Sequence, residues 1–597
     1  MRIGLLTEGG YPYVSGDARI WCDRLVRGLG QHEFDVYALS RSERQEGEGW
    51  IPLPPQVRRV RTAPLWMAED DGSGYGRRAR RRFTEAYGEL AAALCAGSAE
   101  AVGLPSGAGA GRAEDPSATE ADRFANALYG LAELAREEGG LVGALRSETA
   151  VRALERACRA PRAPRTAREA RVRDLLTVAA HLERALRPLS LDWHEDDGLG
   201  SADLCHAASG GVAALPGLLA RHFHGVPLLV TEYGVRLRTH YLGATDATTD
   251  ATTDATTDTA THATPAVRAL VTAFHGRLAA EIYRRAERIT PGNAHARRWQ
   301  ERCGADRAKL RTVYPGMDAD PFAEVGEAPE SADPDTLVWV GRIQPAKDLI
   351  SLLHAFAQVR KEEPKTRLRI IGAPVGAEGA AYLAHCRALA AQLFPDEADG
   401  PHAVGDNPVS FEEIGGPETP TPAEAYASGA VTVLSSVVEG FPISLVEAMF
   451  CARATVSTDV GAVVEAIGGT GLVVPPRNPR ALAEACVALL RDPGRRARLG
   501  AAARARALEL FTVEQNVAAF HGIYLDIVSR CPVRRTVLGA DGEPLPFAVP
   551  AEARVPGRWT DPALRGVARR EPGWAGQRAP VRATVAAAAV PGVEGIR

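Results

Sequence analysis

The sequence predicts an α/β protein made of two doubly wound domains. Three observations predict it. The chain opens as strand, glycine-rich loop, helix and strand over residues 2–39. A second alternation of apolar strands and helices starts at Thr336. Between them, residues 324–335 are rich in Pro, Glu and Ala, the composition of a linker.

The elements follow in order. Residues 2–7 form an apolar run of the kind buried on both faces of a parallel sheet. After the loop from Glu8 to Asp17, Ile20, Trp21, Leu25, Val26 and Leu29 recur at helical spacing. Gly28 and Gly30 then interrupt the pattern, and residues 34–39 read as a second strand. The stretch from about 68 to 200 is rich in Ala, Arg, Glu and Leu and is expected to be a helical insertion. Strands are expected again at 202–206 and 227–231, with a helix between them. Residues 244–264 repeat Ala-Thr-Thr-Asp and lack the apolar side chains to build a core, so a mobile loop is expected there. A helix at 266–287 and short strands at 288–290 and 310–313 complete a first domain over residues 1–323.

The second domain, 336–510, has strands expected at 337–340, 367–371, 431–434 and 454–457. Helices are expected at 348–361, 379–393, 442–451 and 479–490. Residues 492–530 read as helical, with 511–530 as a closing helix. The tail at 531–597, rich in Pro, Gly, Arg and Ala, is expected to be disordered.

Bulk properties narrow the function. The chain has 597 residues, 45% hydrophobic and 24% charged, and a formal net charge of −4. That balance supports full-sized cores and offers no basic field for nucleic acid. Nine scattered cysteines without a Cys-x-x-Cys pair point to reduced thiols, not a disulfide frame or zinc site. The apolar run before Glu8 is too short for a signal peptide, and no run approaches a membrane span, so a cytoplasmic location is expected.

The segment Glu439-Gly440-Phe441-Pro442-Ile443-Ser444-Leu445-Val446-Glu447 carries the most chemical information. Pro442 is expected as the first helical residue, where its missing N–H costs nothing. The open N–H groups near Ile443 and Ser444 would receive a phosphate, and the two carboxylates would receive hydroxyl groups. A sugar nucleotide needs that combination. A pair of glutamates eight apart also arises by chance on a solvated helix face, so the surrounding motifs decide. Gly341-Arg342 ends a strand, and Lys347 follows within six residues, beside Asp348 as a helix cap. There a guanidinium fork and an ammonium would meet a diphosphate. The alternative is a pair of surface cations near a turn.

Gly341-Arg342, Lys347 and the Glu439–Glu447 pair, in this order, resemble the retaining glycosyltransferases of family 4. In the first half, Leu6-Thr-Glu-Gly-Gly-Tyr-Pro-Tyr-Val14, Cys205-His206-Ala-Ala-Ser-Gly-Gly211 and Leu229-Val-Thr-Glu-Tyr-Gly234 resemble the PelF-type branch. The resemblance implies the GT-B fold, two Rossmann-like domains facing across a cleft, with a helical insertion in the first. It implies that Arg342 and Lys347, with Gly341 and Gly16, line the donor diphosphate. Glu447 would accept from the ribose hydroxyls. Glu439 would contact the donor sugar beside the reacting face, and Gly440, Phe441, Ile443, Ser444 and Leu445 would lie against diphosphate and sugar. His206 would approach the donor sugar from the first domain. Its plainer reading is a histidine at a strand end making a structural hydrogen bond. Two positions depart from the family pattern: Asp17 follows Gly16 where a second glycine is usual, and Tyr233 stands where histidine is common.

The function so implied is transfer of a sugar, with retention, from a nucleotide diphosphate sugar such as UDP-glucose to the hydroxyl of a saccharide or other acceptor, within polysaccharide or glycoconjugate synthesis. No cofactor and no metal are expected, since two cations meet the diphosphate. Polysaccharide assembly proteins would be further partners. Two other classes stay open: a sugar-nucleotide epimerase or glucan polymerase of similar fold, and a non-catalytic sugar-nucleotide-binding subunit.

Overall fold

The computed structural model describes residues 1–16, 18–67, 74–96, 116–234, 264–328, 332–395, 407–417 and 419–533. Asp17, the Thr-Asp repeat up to 263 and the tail from 534 lie outside the described residues.

Two six-stranded parallel sheets organise the described residues. The first contains β1 (Arg2–Glu8), β2 (Glu33–Ser40), β3 (Val57–Pro64), β4 (Leu204–Ala207), β5 (Leu228–Glu232) and β6 (Arg288–Pro291), in the order β3-β2-β1-β4-β5-β6. The second contains β7 (Thr336–Val340), β8 (Arg367–Ile371), β9 (Val409–Glu412), β10 (Val431–Leu434), β11 (Ala454–Thr458) and β12 (Leu472–Val474), in the order β12-β11-β10-β7-β8-β9. The two orders are the same winding repeated. In each, the order reverses beside the first strand, which opens a crevice at the carboxyl ends of β1 and β4, and of β7 and β10. Register fixes these neighbours: Leu5 stands opposite His206, and Leu337 opposite Val431. These are two Rossmann-like lobes facing a cleft, the GT-B architecture.

The central strands are buried on both faces, as their unbroken apolar runs require. Three edge strands, β3, β9 and β12, were not expected. β3 alternates arginines with smaller residues and is only half buried, and β12 has three residues. Short or charged edges resist further strand addition, and they lack the apolar run that marks a central strand. The strand expected at 310–313 is absent. A 3-10 turn at Arg307–Lys309 leaves room only for a single bridge between Ile289 and Leu310.

The insertion is helical, as expected. Helices Arg77–Cys95, Pro116–Glu138, Glu148–Cys158 and Val172–Leu186 share one apolar core with the first sheet, through Phe83, Tyr87, Leu128, Leu154 and Leu182. Part of the stretch expected as linker is ordered: Ala323–Glu327 is a short helix, and Phe322 before it stacks on Phe450 with ring centroids 6.2 Å apart.

The C-terminal helical stretch breaks in two, Pro493–Leu510 and Val513–Arg530. Thr512 supplies the break: its hydroxyl accepts the Gln515 N–H at 3.4 Å as an N-cap. The second helix returns to the first lobe, where Phe520, Ile523, Tyr524 and Ile527 pack with Leu5, Leu25 and Val26.

Candidate functional site

The carboxyl ends of β7 and β10 bring the two cation- and carboxylate-bearing loops together. After β7 the chain passes Gly341 and Arg342 and makes a 3-10 turn, Pro345–Lys347. Asp348 then takes a left-handed conformation, φ 47°, and its Oδ1 accepts the Ser351 N–H at 3.2 Å to start helix Leu349–Glu362. After β10, the Ser435 hydroxyl donates to the Lys347 carbonyl at 2.7 Å, and the Val437 N–H donates to the Ala346 carbonyl at 2.9 Å. These two bonds fix one loop against the other. They set Lys347 Nζ as donor to Glu439 Oε1, which also accepts from the Ser436 hydroxyl at 2.8 Å.

Lys347 and Glu439 keep only 15% and 10% of their side-chain surface exposed, so their attraction is poorly screened while remaining reachable from the cleft. Arg342 stands exposed in the same loop. The backbone under Glu439 is held from below: Gly461, at φ +57°, would place a Cβ 2.2 Å from the Glu439 carbonyl, and the Ala462 N–H donates to the Gly440 carbonyl at 3.1 Å. The loop after β11 thus supports Glu439 and Gly440.

The helix after Glu439 begins one residue later than expected. Pro442 is the N-cap, with ψ 81°, and the helix runs Ile443–Phe450. The Ile443 N–H meets the Phe441 carbonyl at 3.0 Å, and the Leu445 N–H meets that of Pro442 at 3.1 Å. Of the three amides, that of Ser444 alone has no backbone acceptor among the described residues. Phe441 packs between Tyr314 and Phe511, which holds Gly440 exposed at the turn.

Glu447 lies on the same helix in a different environment. Tyr426, fully buried, donates its hydroxyl to Glu447 Oε2 at 2.7 Å. Burial pushes the Glu447 carboxyl above its usual value, and the Tyr426 hydrogen bond and the charge of Arg24 partly offset that. Arg24 belongs to the first lobe, on helix Arg19–Gly28, and its Nη1 also donates to the Gly316 carbonyl at 2.9 Å.

The first lobe presents its glycine loop at the end of β1. Gly16 has φ +114°, and a Cβ there would sit 1.8 Å from the Gly9 carbonyl, so the loop closes only with glycine at this position. His206 departs from the expected approach to the donor. It is fully buried on β4, its Nδ1 paired with the Tyr524 hydroxyl at 2.7 Å and its Nε2 with the Thr231 hydroxyl at 2.7 Å. Trp21 and Phe520 cover the ring, with centroids 5.7 and 5.4 Å away. Both nitrogens are engaged and burial pushes the imidazole down to about 3, so it is neutral and structural here. Tyr233 is also turned inward, accepting from Asn516 Nδ2 at 3.0 Å.

Three side-chain roles were missed by sequence reasoning: those of Tyr426, Arg24 and Glu465. Glu465 crosses between lobes: its Oε2 accepts the Ala294 N–H at 2.6 Å, and its Oε1 accepts the Tyr314 hydroxyl at 2.9 Å. Nothing in local spacing links these positions, which lie 151 and 171 residues apart. Among the described residues, no three His, Cys, Asp or Glu side chains converge to hold a metal ion, and no helix is long and apolar enough to cross a membrane.

Residues 1–308 match the family described as Domain of unknown function (DUF3492), and residues 334–492 match Glycosyl transferases group 1. The chain belongs to the family-4 glycosyltransferases of the GT-B fold, in the arrangement that joins these two regions. A D-inositol 3-phosphate glycosyltransferase of Kineococcus radiotolerans is 33% identical over 221 residues, 34% of this chain and 49% of that protein. One from Streptomyces bingchenggensis is 31% identical over 253 residues, 40% of this chain and 52% of that protein. The chain thus spans about half the length of the curated relatives it matches. Among solved structures, Anabaena Alr3699/HepE in complex with UDP superposes with a TM-score of 0.48 at 14% identity, covering 88% of this chain and 99% of that one.

Proposed function

We propose that the protein transfers a sugar, with retention at the anomeric carbon, from a nucleotide diphosphate sugar to an acceptor hydroxyl. The observation that carries this reading is the junction of Lys347, Glu439 and Ser436 at the carboxyl ends of β7 and β10, beside the start of helix Ile443–Phe450. A cation, a carboxylate and a helix start meet where doubly wound sheets bind ligands.

In this reading residues 336–510 form the donor half. Arg342 and Lys347 take the diphosphate, and Lys347 exchanges its Glu439 partner for a phosphate oxygen. Glu439, released from Lys347, accepts from a donor-sugar hydroxyl. Glu447 accepts from the ribose with the oxygen that Tyr426 leaves open. Gly341, Gly440, Phe441, Ile443, Ser444, Leu445 and Gly16 line the donor. Preorganised charge then stabilises the leaving diphosphate, and a leaving phosphate oxygen takes the acceptor proton. Arg342 and Lys347 supply the charge that a divalent cation supplies elsewhere, so activity persists in chelator. His206 holds the first lobe instead of touching the sugar.

The donor is a UDP-hexose of the UDP-glucose kind. The acceptor is a saccharide or other polyol, in polysaccharide or glycoconjugate synthesis in the cytoplasm. The relatives' name, D-inositol 3-phosphate glycosyltransferase, supports hydroxyl transfer. A thermal-shift screen against nucleotide sugars tests the donor, because a ligand of the native state raises the melting temperature. UDP-hexose is expected to stabilise the wild type, and Arg342→Ala and Lys347→Ala to lose that effect. Release of free UDP only with acceptor present supports transfer. Sugar inversion without UDP release would mean an epimerase, and binding without turnover a non-catalytic subunit.

A further inference from the structure

Two thiols of the helical insertion lie side by side. Cys95 ends helix Arg77–Cys95, and Cys158 ends helix Glu148–Cys158. Their sulfurs are 3.7 Å apart, with the side chains 3% and 2% exposed. A disulfide needs the sulfurs to close by roughly 1.7 Å, to about 2.05 Å. Both cysteines are terminal helical residues, where one turn adjusts without breaking helix interior. Cys95 and Cys158 are the sole cysteine pair in sulfur contact among the described residues. A third group completes the cluster. Tyr87, on the same helix as Cys95, is fully buried, its hydroxyl has no hydrogen-bond partner among the described residues, and it lies within electrostatic reach of Cys158. A buried hydroxyl without a partner is costly unless something can take its proton.

We propose that Cys95 and Cys158 are a modification site for hydroperoxides, which oxidise the pair to a reversible disulfide. Either sulfur can donate to the other; with Cys95 donating its S–H, the Cys158 thiolate is favoured and Cys158 reacts first. The Cys158 sulfur attacks a peroxide oxygen, the O–O bond breaks, and water or an alcohol leaves with the thiol proton. This gives the sulfenic acid, whose oxygen can accept from the Tyr87 hydroxyl. The Cys95 sulfur then attacks the Cys158 sulfur. The S–S bond forms, the S–O bond breaks, and the oxygen leaves as water with the Cys95 proton. Two thiols are oxidised as one peroxide is reduced. The product closes residues 95–158 into a covalent loop, which removes freedom from the unfolded chain.

The test uses the full chain, reduced, freed of reductant and titrated with hydrogen peroxide. Thiols are counted in denaturant, and the cross-linked peptides are mapped. The wild type is expected to fall from nine free thiols by two, with Cys95 joined to Cys158. Dithiothreitol should restore the count, and the melting temperature should rise on oxidation and return on reduction. Cys95→Ser should stop at a Cys158 sulfenic acid that a dione reagent traps, and Tyr87→Phe should slow disulfide formation several-fold. The peptide map of the wild type stands even if a variant misfolds. A count that stays at nine, a cross-link at another pair, or loss of Cys158 directly to sulfinic acid would each overturn the proposal.

Discussion

Tyr426 donates its hydroxyl proton to Oε2 of Glu447 across 2.7 Å, from a fully buried ring to a half-buried carboxylate. The bond leaves Oε1 for a ligand and opposes the burial that pushes the Glu447 carboxyl up. Tyr426→Phe removes the bond and keeps the ring, so the carboxyl rises further. Arg24→Gln removes the other opposing influence and acts in the same direction. If the ionised carboxylate holds the ribose, donor affinity falls as pH drops through this raised value, and the midpoint of that fall moves to higher pH in both variants. Loss of a hydrogen bond to a charged group is worth about 1.5–3 kcal/mol, so donor affinity should weaken roughly ten- to hundredfold near the midpoint. Titration calorimetry with UDP across pH 5 to 8 measures it. Coincident midpoints for all three proteins would mean that Glu447 does not hold the donor.

His206 offers a second pH handle, on stability. Its imidazole is neutral in the fold, pushed down to about 3 by burial, whereas an exposed histidine titrates near 6.5. The unfolded state therefore binds a proton that the folded state refuses once pH falls below about 6.5. Stability from this group is fully present above that value. It is lost as pH falls towards 3, at up to about 1.4 kcal/mol per unit. His206→Gln cannot titrate and can keep one of the two hydrogen bonds. It should be less stable than wild type at pH 8 and lose less on acidification. Urea unfolding at pH 8 and pH 5 measures both slopes, and parallel losses in the two proteins would refute a buried neutral His206.

The central strands and the Glu439–Glu447 segment were legible because they are local. β1, β7 and β10 are largely apolar runs ended by glycine or serine, and the segment carries its own helix start. The edge strands β3, β9 and β12 were not, since they are charged or short and lack the apolar run that marks β7 or β10. The contact of Lys347 with Glu439 was half legible. Both residues stood out, but their meeting depends on the β7–β10 pairing, which brings together positions 92 apart. His206 shows the opposite case. Its motif is conspicuous, yet the burial that makes it structural comes from Tyr524, 318 residues away on a helix expected to close the second lobe.

The Lys347–Glu439 pair predicts a separation between binding and turnover. Lys347→Ala leaves Glu439 without its cation and removes charge from the leaving diphosphate. Turnover should fall about 10²–10³-fold, as for loss of one preorganised stabilising donor. Glu439→Gln keeps the shape and the Ser436 contact and frees Lys347. UDP affinity should hold or tighten, because the ammonium no longer has to leave a carboxylate, while turnover falls with the lost sugar contact. Steady-state kinetics beside UDP affinity separates the cases. Equal loss of UDP binding in both variants would show that the pair acts as a structural bridge.

Glu465 links the lobes from the short helix Val463–Ile467, and its effect should be geometric. Its carboxylate receives the first amide of helix Ala294–Arg302 in the one lobe, where the helix dipole favours an anion. It also receives the Tyr314 hydroxyl, and burial with this carboxylate pushes that phenol up to about 12, so it remains a donor at any working pH. Asn293 already caps the same helix through the Ala296 N–H at 2.8 Å. Glu465→Ala therefore should not melt the helix, and costs about 0.5–2 kcal/mol of contact between the lobes, in the range of a lost cap. Glu465→Gln keeps one acceptor and should fall between the alanine variant and wild type. The expected result is a more open molecule: a larger radius of gyration by small-angle scattering without ligand, and a higher KM for the donor, since closure then has to be driven by binding. Tyr314→Phe should give the same direction with a smaller amplitude. If the alanine variant scatters like wild type and keeps its KM, Glu465 only decorates the junction and the lobes are held by the apolar return of helix Val513–Arg530.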